Sequence, residues 1–349
     1  MSNGSKNFLN PNYRRKKPSA VLDVPHLFEG IRKGDRTALG QGITLIESEK
    51  TEHRIPASEL LGLCLPVSGK SKRIGITGVP GAGKSTFINA FGTYLTSLGH
   101  QVAVLAIDPS SGRNKGSILG DKTRMEELSR DPNAFIRPSP SGGSLGGVAR
   151  RTRESLLLME AAGFDVVIVE TVGVGQSETM VADMVDFFLL LLSPAGGDEL
   201  QGIKRGIMEL ADLVVVNKAD GDLIQAAQLS AAQCKSALSL MRPKTQDWTA
   251  EVLTASSLQA KGMAEIWERI GAHRKIFEKS GRLKELRAAQ AKAWLWRELE
   301  EGLTAAFRAQ PEIAEKLRKF ERAVGSGKMA PTVAARVLLS LFSGSDERF

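Results

Sequence analysis

Short apolar runs alternate with longer segments of helical periodicity across the middle of the chain. Their length and their Val, Ile and Leu content are typical of β-strands that are buried on both faces. Helical segments separate most of these runs, which indicates βαβ units. The pattern therefore predicts an α/β fold with a mostly parallel twisted sheet covered on both faces. The predicted strands are residues 73–77, 102–107, 166–170, 186–192, 213–217 and 252–254.

Helical patterns flank this region on both sides. Before it, apolar residues at helical spacing predict two or three short helices, punctuated by Gly30, Gly34 and Pro56. After it, the chain stays helical from Lys261 onward, and a last short helix is expected over 333–341. The expected organisation is a disordered tail (1–22), an N-terminal helical extension (23–70), a nucleotide-binding domain (71–262) and a C-terminal helical region (263–349).

The C-terminal region contains one long helix with an apolar stripe. Such a stripe either packs on its own domain or forms a contact between two copies of the chain. Because little other core surrounds it, we expect the region to be a homodimer contact. The stripe consists of Leu283, Leu286, Ala289, Ala293, Trp296, Leu299 and Leu303.

Composition narrows the function classes. The chain has 349 residues, is 42% hydrophobic and 25% charged, and carries a net charge of +8. Much of the basic excess lies in residues 14–17 and, interleaved with Glu, in the C-terminal third, which favours solvated helix faces over a nucleic-acid surface. No apolar block approaches the ~20 residues of a membrane span. We expect no nucleic-acid or membrane partner.

The cysteines and the basic tail bear on the compartment. Cys64 and Cys234 are the only cysteines and lie far apart, which indicates a reducing compartment without disulfides or a zinc site. The tail has no apolar core, so it is not a secretory signal. Its Pro and Asn content favours plain disorder over the alternative, a mitochondrial transit segment. We expect a cytoplasmic protein.

A phosphate-binding loop follows the first predicted strand. Residues 78–86 read Gly-Val-Pro-Gly-Ala-Gly-Lys-Ser-Thr and are followed by a helix-forming run. Glycines let successive N–H groups point at phosphate oxygens, and the helix start adds its dipole. Lys84 supplies a charge to the β- and γ-phosphates, and the Ser85 hydroxyl binds Mg²⁺. The predicted phosphate contacts are Gly81, Ala82, Gly83, Lys84, Ser85 and Thr86.

Two later segments predict the base. Asn217-Lys-Ala-Asp220 lies at the end of a predicted strand, where a carboxylate can accept hydrogen bonds from guanine N1 and N2. Asn217 braces the loop, and the stem of Lys218 covers the base. Thr254, Ala255 and Ser256, after the next strand, supply a backbone contact to the guanine oxygen. The substrate is therefore expected to be GTP and the product GDP.

Acidic residues at two strand ends predict the metal site. Glu170 ends the strand 166–170, where an acid should hold Mg²⁺ directly or through water, and the Gly173 N–H should meet the γ-phosphate. Asp108 follows the neighbouring strand and could bind Mg²⁺ waters or orient the attacking water; the alternative is a turn Asp before a proline. We assign catalytic roles to Lys84, Asp108, Glu170 and Gly173.

Two residues in the surrounding loops bear on metal binding and on the rate of hydrolysis. Asp121 could approach the same metal, or it could cap a helix over 122–128. Val174 stands where many regulatory GTPases carry the glutamine that positions water. We therefore expect slow intrinsic hydrolysis, completed by another element or by a partner.

The segment 193–204 is not explained by nucleotide binding. It begins where a buried strand ends and has paired glycines followed by charged residues. Such a loop could report the nucleotide state to a partner, or it could be a plain surface loop. The predicted partner-contact residues are Asp198, Glu199, Gln201 and Lys204.

Together these motifs resemble the MeaB/ArgK family, the GTPases associated with methylmalonyl-CoA mutase. The resemblance spans residues 24–345 and rests on the motifs at 78–86, 108–111, 117–125, 170–178, 193–204 and 217–220. One departure is the basic run Arg113-Asn-Lys115, where small residues are expected.

The resemblance implies a homodimeric GTPase of the signal-recognition-particle, MinD and BioD class. By similarity, Asp108, Asp121 and Glu170 are metal-site and switch acids, and residues 193–204 are a third switch that contacts the mutase. The family implies a chaperone for an adenosylcobalamin-dependent mutase that gates cofactor loading and protects the enzyme. The chain has no Asp-x-His-x-x-Gly pattern, so we expect no direct cobalamin binding.

Two alternatives belong to other functional classes. A metal-delivery GTPase of the nickel-insertion type is disfavoured because the chain has four His and no His-rich tract or close Cys pair. A kinase for a periplasmic amino-acid-binding protein, or another kinase-like NTPase, is disfavoured by the guanine motif at 217–220.

Overall fold

The computed structural model describes residues 23–108, 125–140, 145–171, 177–194 and 205–343. The chain divides into two compact units. The first comprises Met1–Gly69 and Leu157–Gly163, and the second comprises Lys70–Leu156 and Phe164–Phe349. No helix in the described part of the chain is long and apolar enough to cross a membrane.

The first unit contains three helices. They are α1 (Val24–Arg32), α2 (Arg36–Glu47) and α3 (Thr51–Cys64). Carboxylates start the first two: Asp23 accepts a hydrogen bond from the backbone N–H of His26, and Asp35 accepts one from Thr37, which satisfies amides that lack a helical partner.

Two residues predicted to separate helices lie inside them, which corrects the sequence interpretation. Gly30 belongs to α1, where a Cβ would come within 2.7 Å of the Ala38 side chain, so the glycine permits close packing on α2. Pro56 lies within α3. It removes one backbone donor but has a φ compatible with a helix, so the helix continues. Gly34 does lie between helices, with φ at 76°.

The second unit is built on a seven-stranded sheet. The strands are β1 (Lys72–Gly78), β2 (Val102–Asp108), β3 (Ala134–Pro140), β4 (Val166–Thr171), β5 (Phe187–Leu192), β6 (Leu213–Val216) and β7 (Glu251–Thr254). Their order is β3-β2-β4-β1-β5-β6-β7, and every pairing among these described strands is parallel. The α/β fold with a parallel sheet is therefore confirmed.

Strand β3 was not predicted from the sequence. Its segment, Ala-Phe-Ile-Arg-Pro-Ser-Pro, contains Pro138 and Pro140, which argue against a strand in the middle of a sheet. The strand lies at the edge of the sheet, next to β2. An edge strand has one side without ladder partners, so it tolerates residues that lack an N–H.

Ten helices of the described chain complete the second unit or cross into it. They are α4 (Lys84–Ser97), α5 (Glu126–Arg130), α6 (Leu145–Ala161), α7 (Ser177–Ala182), α8 (Arg205–Leu210), α9 (Ile224–Ser239), α10 (Met263–Lys279), α11 (Arg282–Ala309), α12 (Pro311–Gly325) and α13 (Pro331–Ser343). The last residues of α6 belong to the first unit.

Alternation along β1 assigns its side chains to two faces of the sheet. Ile74 and Ile76 join one core cluster with Phe87 and Phe91 of α4. Gly75 points to the other face, where a Cβ would come within 2.9 Å of the Val181 side chain of α7. Because β4, β5 and β6 are buried along their whole lengths, the sheet holds the strand ends in fixed positions.

Candidate nucleotide site

The carboxyl ends of three adjacent strands carry the predicted phosphate and metal residues. β1 leads into the phosphate loop, and Glu170 near the end of β4 pairs in register with Ile76 of β1 and Ala106 of β2. Asp108 is the last residue of β2, and its side chain lies outside the described part of the structure. In parallel sheets, ligands bind beyond this edge.

The phosphate loop has the backbone shape that its glycines suggest. Gly81 and Gly83 have φ angles of 83° and 87°, in the left-handed region that disfavours residues with a Cβ. Gly78 is constrained differently, because a Cβ there would come within 2.2 Å of the Leu191 carbonyl oxygen. Ala82 is fully buried, whereas Thr86 is exposed on the first turn of α4.

Lys84 is held by the loop itself. Its Nζ donates to the carbonyl oxygens of Gly78, at 2.7 Å, and Val79, at 3.3 Å. Burial lowers the pKa of the Lys84 ammonium, while the charges of Glu170 and Glu178 act in the opposite direction. The two carbonyl oxygens therefore fix the ammonium at the start of the loop.

Ser85 and Glu170 bring two metal-type oxygens together. The Ser85 Oγ donates to the Glu170 Oε1 at 3.2 Å, and Glu170 is 3% exposed. A hydroxyl and a carboxylate form the oxygen-only donor set that Mg²⁺ prefers, with phosphate oxygens and waters completing its six ligands. No group of three His, Cys, Asp or Glu among the described residues forms a metal cage. A Mg²⁺ site shared with substrate fits these residues.

Asn217 ties the predicted base loop to the phosphate loop. It is 1% exposed, and its Nδ2 donates to the Ala82 carbonyl oxygen at 2.9 Å. Its Oδ1 accepts hydrogen bonds from the Ser257 Oγ at 2.7 Å and the Ser257 N–H at 3.2 Å. One buried amide thus joins three loops that lie far apart in the sequence.

Asp220 is also positioned by the loop after β7. The Ser256 hydroxyl donates to the Asp220 Oδ2, and the Gln259 N–H donates to the Ser256 Oγ at 3.1 Å. This chain of bonds fixes the carboxylate, and both of its oxygens keep lone pairs that can accept further hydrogen bonds. Thr254 is the last residue of β7, and Ala255 accepts from the Ala219 N–H at 2.9 Å.

Lys218 has an unusual backbone conformation. Its φ is 57°, in the left-handed region where few non-glycine residues lie. The neighbouring Asn217 is bonded to two loops, so the turn is held by its surroundings. The half-buried stem of Lys218 stays close to the phosphate loop, with its Cε 3.8 Å from where a Cβ on Gly83 would lie.

Several predicted positions lie outside the described residues. These are Asp121, Gly173, Asp198, Glu199, Gln201 and Lys204. The roles of all predicted site residues stay predictions.

Two residues were missed by the sequence interpretation. Ser257 directly follows the predicted backbone contact at 254–256, and its hydroxyl bonds to Asn217. Glu178 is fully buried and acts electrostatically on Lys84. The signal available for Glu178 was an acidic residue shortly after Glu170, in the first turn of a helix.

We expect Ser257→Ala to weaken GTP binding by about 3- to 10-fold, in line with the loss of one buried hydrogen bond. Asn217 Oδ1 would keep only the longer bond from the Ser257 N–H. Titration with a fluorescent GTP analogue would measure the change. Ser239→Ala, which removes an exposed helix hydroxyl bonded to its own helix, is the control. Equal affinities for both variants would contradict this role.

Comparison with known proteins identifies the family. The family described as "Methylmalonyl Co-A mutase-associated GTPase MeaB" matches residues 39–312. The chain belongs to the MeaB family. A Caulobacter vibrioides protein is 55% identical over 322 residues, covering 92% of this chain and 98% of that protein. The GTPase ArgK of Escherichia coli is 47% identical over 308 residues, covering 88% and 93% of the two chains.

A eukaryotic relative and a solved structure extend this comparison. The mitochondrial methylmalonic aciduria type A homolog of Mus musculus is 48% identical over 329 residues, covering 91% of this MeaB-family chain and 79% of that protein. The crystal structure described as a LAO/AO transport system kinase is 39% identical, with a TM-score of 0.75 over 94% of this chain and all of that chain. The resemblance found in the sequence is confirmed, as is the P-loop GTPase fold.

Proposed function

We propose that this MeaB-family protein is a Mg²⁺-dependent, intrinsically slow cytoplasmic GTPase that acts as a chaperone for an adenosylcobalamin-dependent methylmalonyl-CoA mutase. The observation that carries the nucleotide assignment is the buried Asn217, whose hydrogen bonds join the phosphate loop to the loop after β7. That link supports the assignment, because it connects the segment of the predicted guanine-reading Asp220 to the loop that carries Lys84.

The chain's own groups hold the triphosphate. The Lys84 ammonium, fixed by two carbonyl oxygens, balances charge on the β- and γ-phosphates, and amides of Gly81 and Gly83 surround them. Ser85 and Glu170 would hold Mg²⁺, which neutralises charge on the phosphates when bound. Turnover that survives removal of divalent metal would contradict this part of the proposal.

The attacking water needs a positioning group that this loop region lacks at Val174. We assign Asp108 and Asp121 to the metal waters or to the attacking water, and the Gly173 N–H to the γ-phosphate. Because Val174 offers no side-chain amide to position the attacking water, we expect low turnover by the isolated protein. A partner then supplies the missing contact.

The proposed partner surface is the loop that contains Asp198, Glu199, Gln201 and Lys204. It follows β5 at the nucleotide edge of the sheet and leads into α8. A loop there can change with the γ-phosphate and present its charges to a mutase. The family description supports the partner class. We propose that GTP gates cofactor loading and protects the mutase, without cobalamin binding to this chain directly.

The α11 stripe supports a homodimer. Leu283 is buried, but Trp296, Leu299 and Leu303 are 66%, 45% and 58% exposed, and Leu295 beside them is 59% exposed. An apolar surface of this kind is typical of an interface. We propose that two copies pair through their C-terminal helices. A sedimentation mass of one chain at micromolar concentration would reject the dimer.

The decisive experiment measures GTP turnover with and without a purified adenosylcobalamin-dependent methylmalonyl-CoA mutase. Stimulation by the mutase is expected, because the partner completes the catalytic shell. Lys204→Ala should bind GTP normally but lose most of that stimulation, about 10-fold or more, because it removes a proposed charged contact with the partner. Lys235→Ala, an exposed lysine on α9, is the matched control.

Three outcomes would count against the proposal. Absence of both stimulation and a complex would remove the mutase as the partner. Normal stimulation of Lys204→Ala would remove that residue's coupling role. A preference for ATP over GTP in nucleotide competition would favour the kinase alternative.

A further inference from the structure

One face of α11 holds the segment between α7 and β5. Arg287, Gln290 and Arg297 recur at helical spacing and therefore project from one side of the helix. The Gln290 Nε2 donates to the Val185 carbonyl oxygen at 2.8 Å, and the Arg297 Nη2 donates to the Asp183 Oδ2 at 2.7 Å. This face differs from the one that carries the exposed Trp296, Leu299 and Leu303.

The strongest of these contacts is at Asp186. Its side chain is 5% exposed, and its two oxygens accept from the Nε and Nη2 of Arg287 at 2.8 and 2.7 Å. Arg274 of α10 adds a contact at 3.3 Å, and the Arg73 N–H of β1 adds one at 3.1 Å. Paired, bidentate bonds of this kind fix both position and orientation.

Asp183 continues the backbone of α7 at its C-terminal end. The Asp183 N–H bonds to the Thr179 carbonyl oxygen at 3.0 Å, so it follows the same helical turn. Arg153 of α6 donates to the Asp183 carbonyl oxygen at 3.4 Å and lies over the Trp294 ring of α11 at 6.0 Å. Asp183 is therefore contacted by both α6 and α11.

The other end of α7 lies at the phosphate site. A helix between two parallel strands runs antiparallel to them, so its N-terminus lies near their carboxyl ends. Val181 packs where Gly75 leaves space on β1, and Glu178, one turn earlier, is fully buried. The predicted γ-phosphate contact, Gly173, lies a few residues before the helix.

We propose that α7 is a rigid connector through which α11 positions the phosphate end of the nucleotide site, with Asp183 and Arg297 as its adjustable contact. The proposal rests on the proposed GTPase function. α7 has six residues and is about 9 Å long, short enough to move as one body. A shift of Asp183 therefore displaces Glu178 near the other end of the helix. Arg297 is a positioning residue that does not touch substrate.

The Asp183–Arg297 pair is a suitable target for substitution. The side chains are 51% and 41% exposed, and ion pairs with this exposure contribute little to stability. Their removal should leave the protein folded. Asp186 is unsuitable, because removing a partner of a buried carboxylate endangers folding.

The test uses three variants. Two are the single changes Arg297→Gln and Asp183→Asn, and the third is a double variant that exchanges the charges, Arg297→Asp together with Asp183→Arg. Each single variant should lower kcat for GTP by about 3- to 10-fold and leave GDP affinity within about 2-fold. The exchange should restore part of the loss. Lys316→Gln, which breaks a 2.9 Å pair with Glu312 on α12 at similar exposure, should behave as wild type.

A second readout is independent of hydrolysis. Amide exchange over residues 178–182 should be faster in Arg297→Gln than in wild type, and unchanged in Lys316→Gln. Unchanged kcat and unchanged exchange in both single variants would overturn the connector. If amide exchange is faster in Arg297→Gln but the wild-type protein hydrolyses no GTP, the GTPase proposal is overturned, whereas the coupling between α11 and α7 is retained. Equal losses in Lys316→Gln would overturn the specific role of the pair.

Discussion

Replacing Lys84 with alanine is expected to lower GTP turnover by about 100-fold or more, the usual effect of removing a preorganised charge at a developing anion. The structure holds the Lys84 Nζ on the carbonyl oxygens of Gly78 and Val79, so the charge is in place before substrate arrives. Its loss leaves the charges of the phosphates and of Glu170 and Glu178 without the cation that offsets them.

Two further variants make the Lys84 experiment specific. Lys84→Arg should also be impaired, because a planar guanidinium does not fit a pocket shaped for a compact ammonium between two carbonyl groups. Lys275→Ala, an exposed lysine on α10, should turn over GTP as wild type does. Steady-state phosphate release measures all three. Turnover within about 3-fold of wild type in Lys84→Ala would contradict the role, since a transition-state contact is worth far more.

The parts of the fold set by local rules were predictable from sequence. The apolar runs at β1, β2, β4, β5 and β6 are each buried, so their pattern alone located them to within a residue or two. The edge strand β3 was not predictable in this way. Its prolines are typical of a loop, and only its place beside β2 makes them compatible with a strand.

The residue types of the nucleotide site were predictable, but not all of their partners. The glycines at 81 and 83 act through backbone geometry, which a short motif specifies. The bond from Ser257 to Asn217 joins residues 40 positions apart. It depends on the turn after β7, where Ala260 has φ at 51° and a Cβ on Gly262 would come within 2.8 Å of the Thr254 carbonyl oxygen. No local pattern specifies which serine then faces the amide.

The contacts of α11 were even less predictable from the sequence. Its apolar stripe was readable because hydrophobic spacing marks a helix face. Its other face binds Asp183 and Asp186 through Arg287 and Arg297, which in the sequence are ordinary charges of a basic helix. From charge composition alone, these arginines were interpreted as part of a solvated helix face. The acceptors on the α7–β5 segment come next to these arginines only when the chain is folded.

Replacing Asp220 with asparagine is expected to exchange guanine for xanthine specificity. Guanine offers two donors, N1–H and the N2 amino group, and the Asp220 carboxylate is the matching acceptor pair. Ser256 already donates to one oxygen, and Gln259 supports Ser256, so the carboxylate has a fixed orientation. In Asp220→Asn the amide presents a donor to a donor, and GTP affinity should fall by about 10- to 100-fold.

Xanthine carries a carbonyl oxygen at C2 in place of the amino group, so the asparagine amide regains a partner with this base. Competition against a fluorescent GTP analogue, using GTP, XTP and ATP, measures the exchange. Asp222→Asn, an exposed carboxylate two residues away, is the matched control and should keep wild-type preference. Unchanged GTP affinity in Asp220→Asn would show that this carboxylate does not read the base. A gain of XTP binding with lost GTP binding requires the carboxylate to face the base edge, because general damage to the loop weakens both nucleotides together.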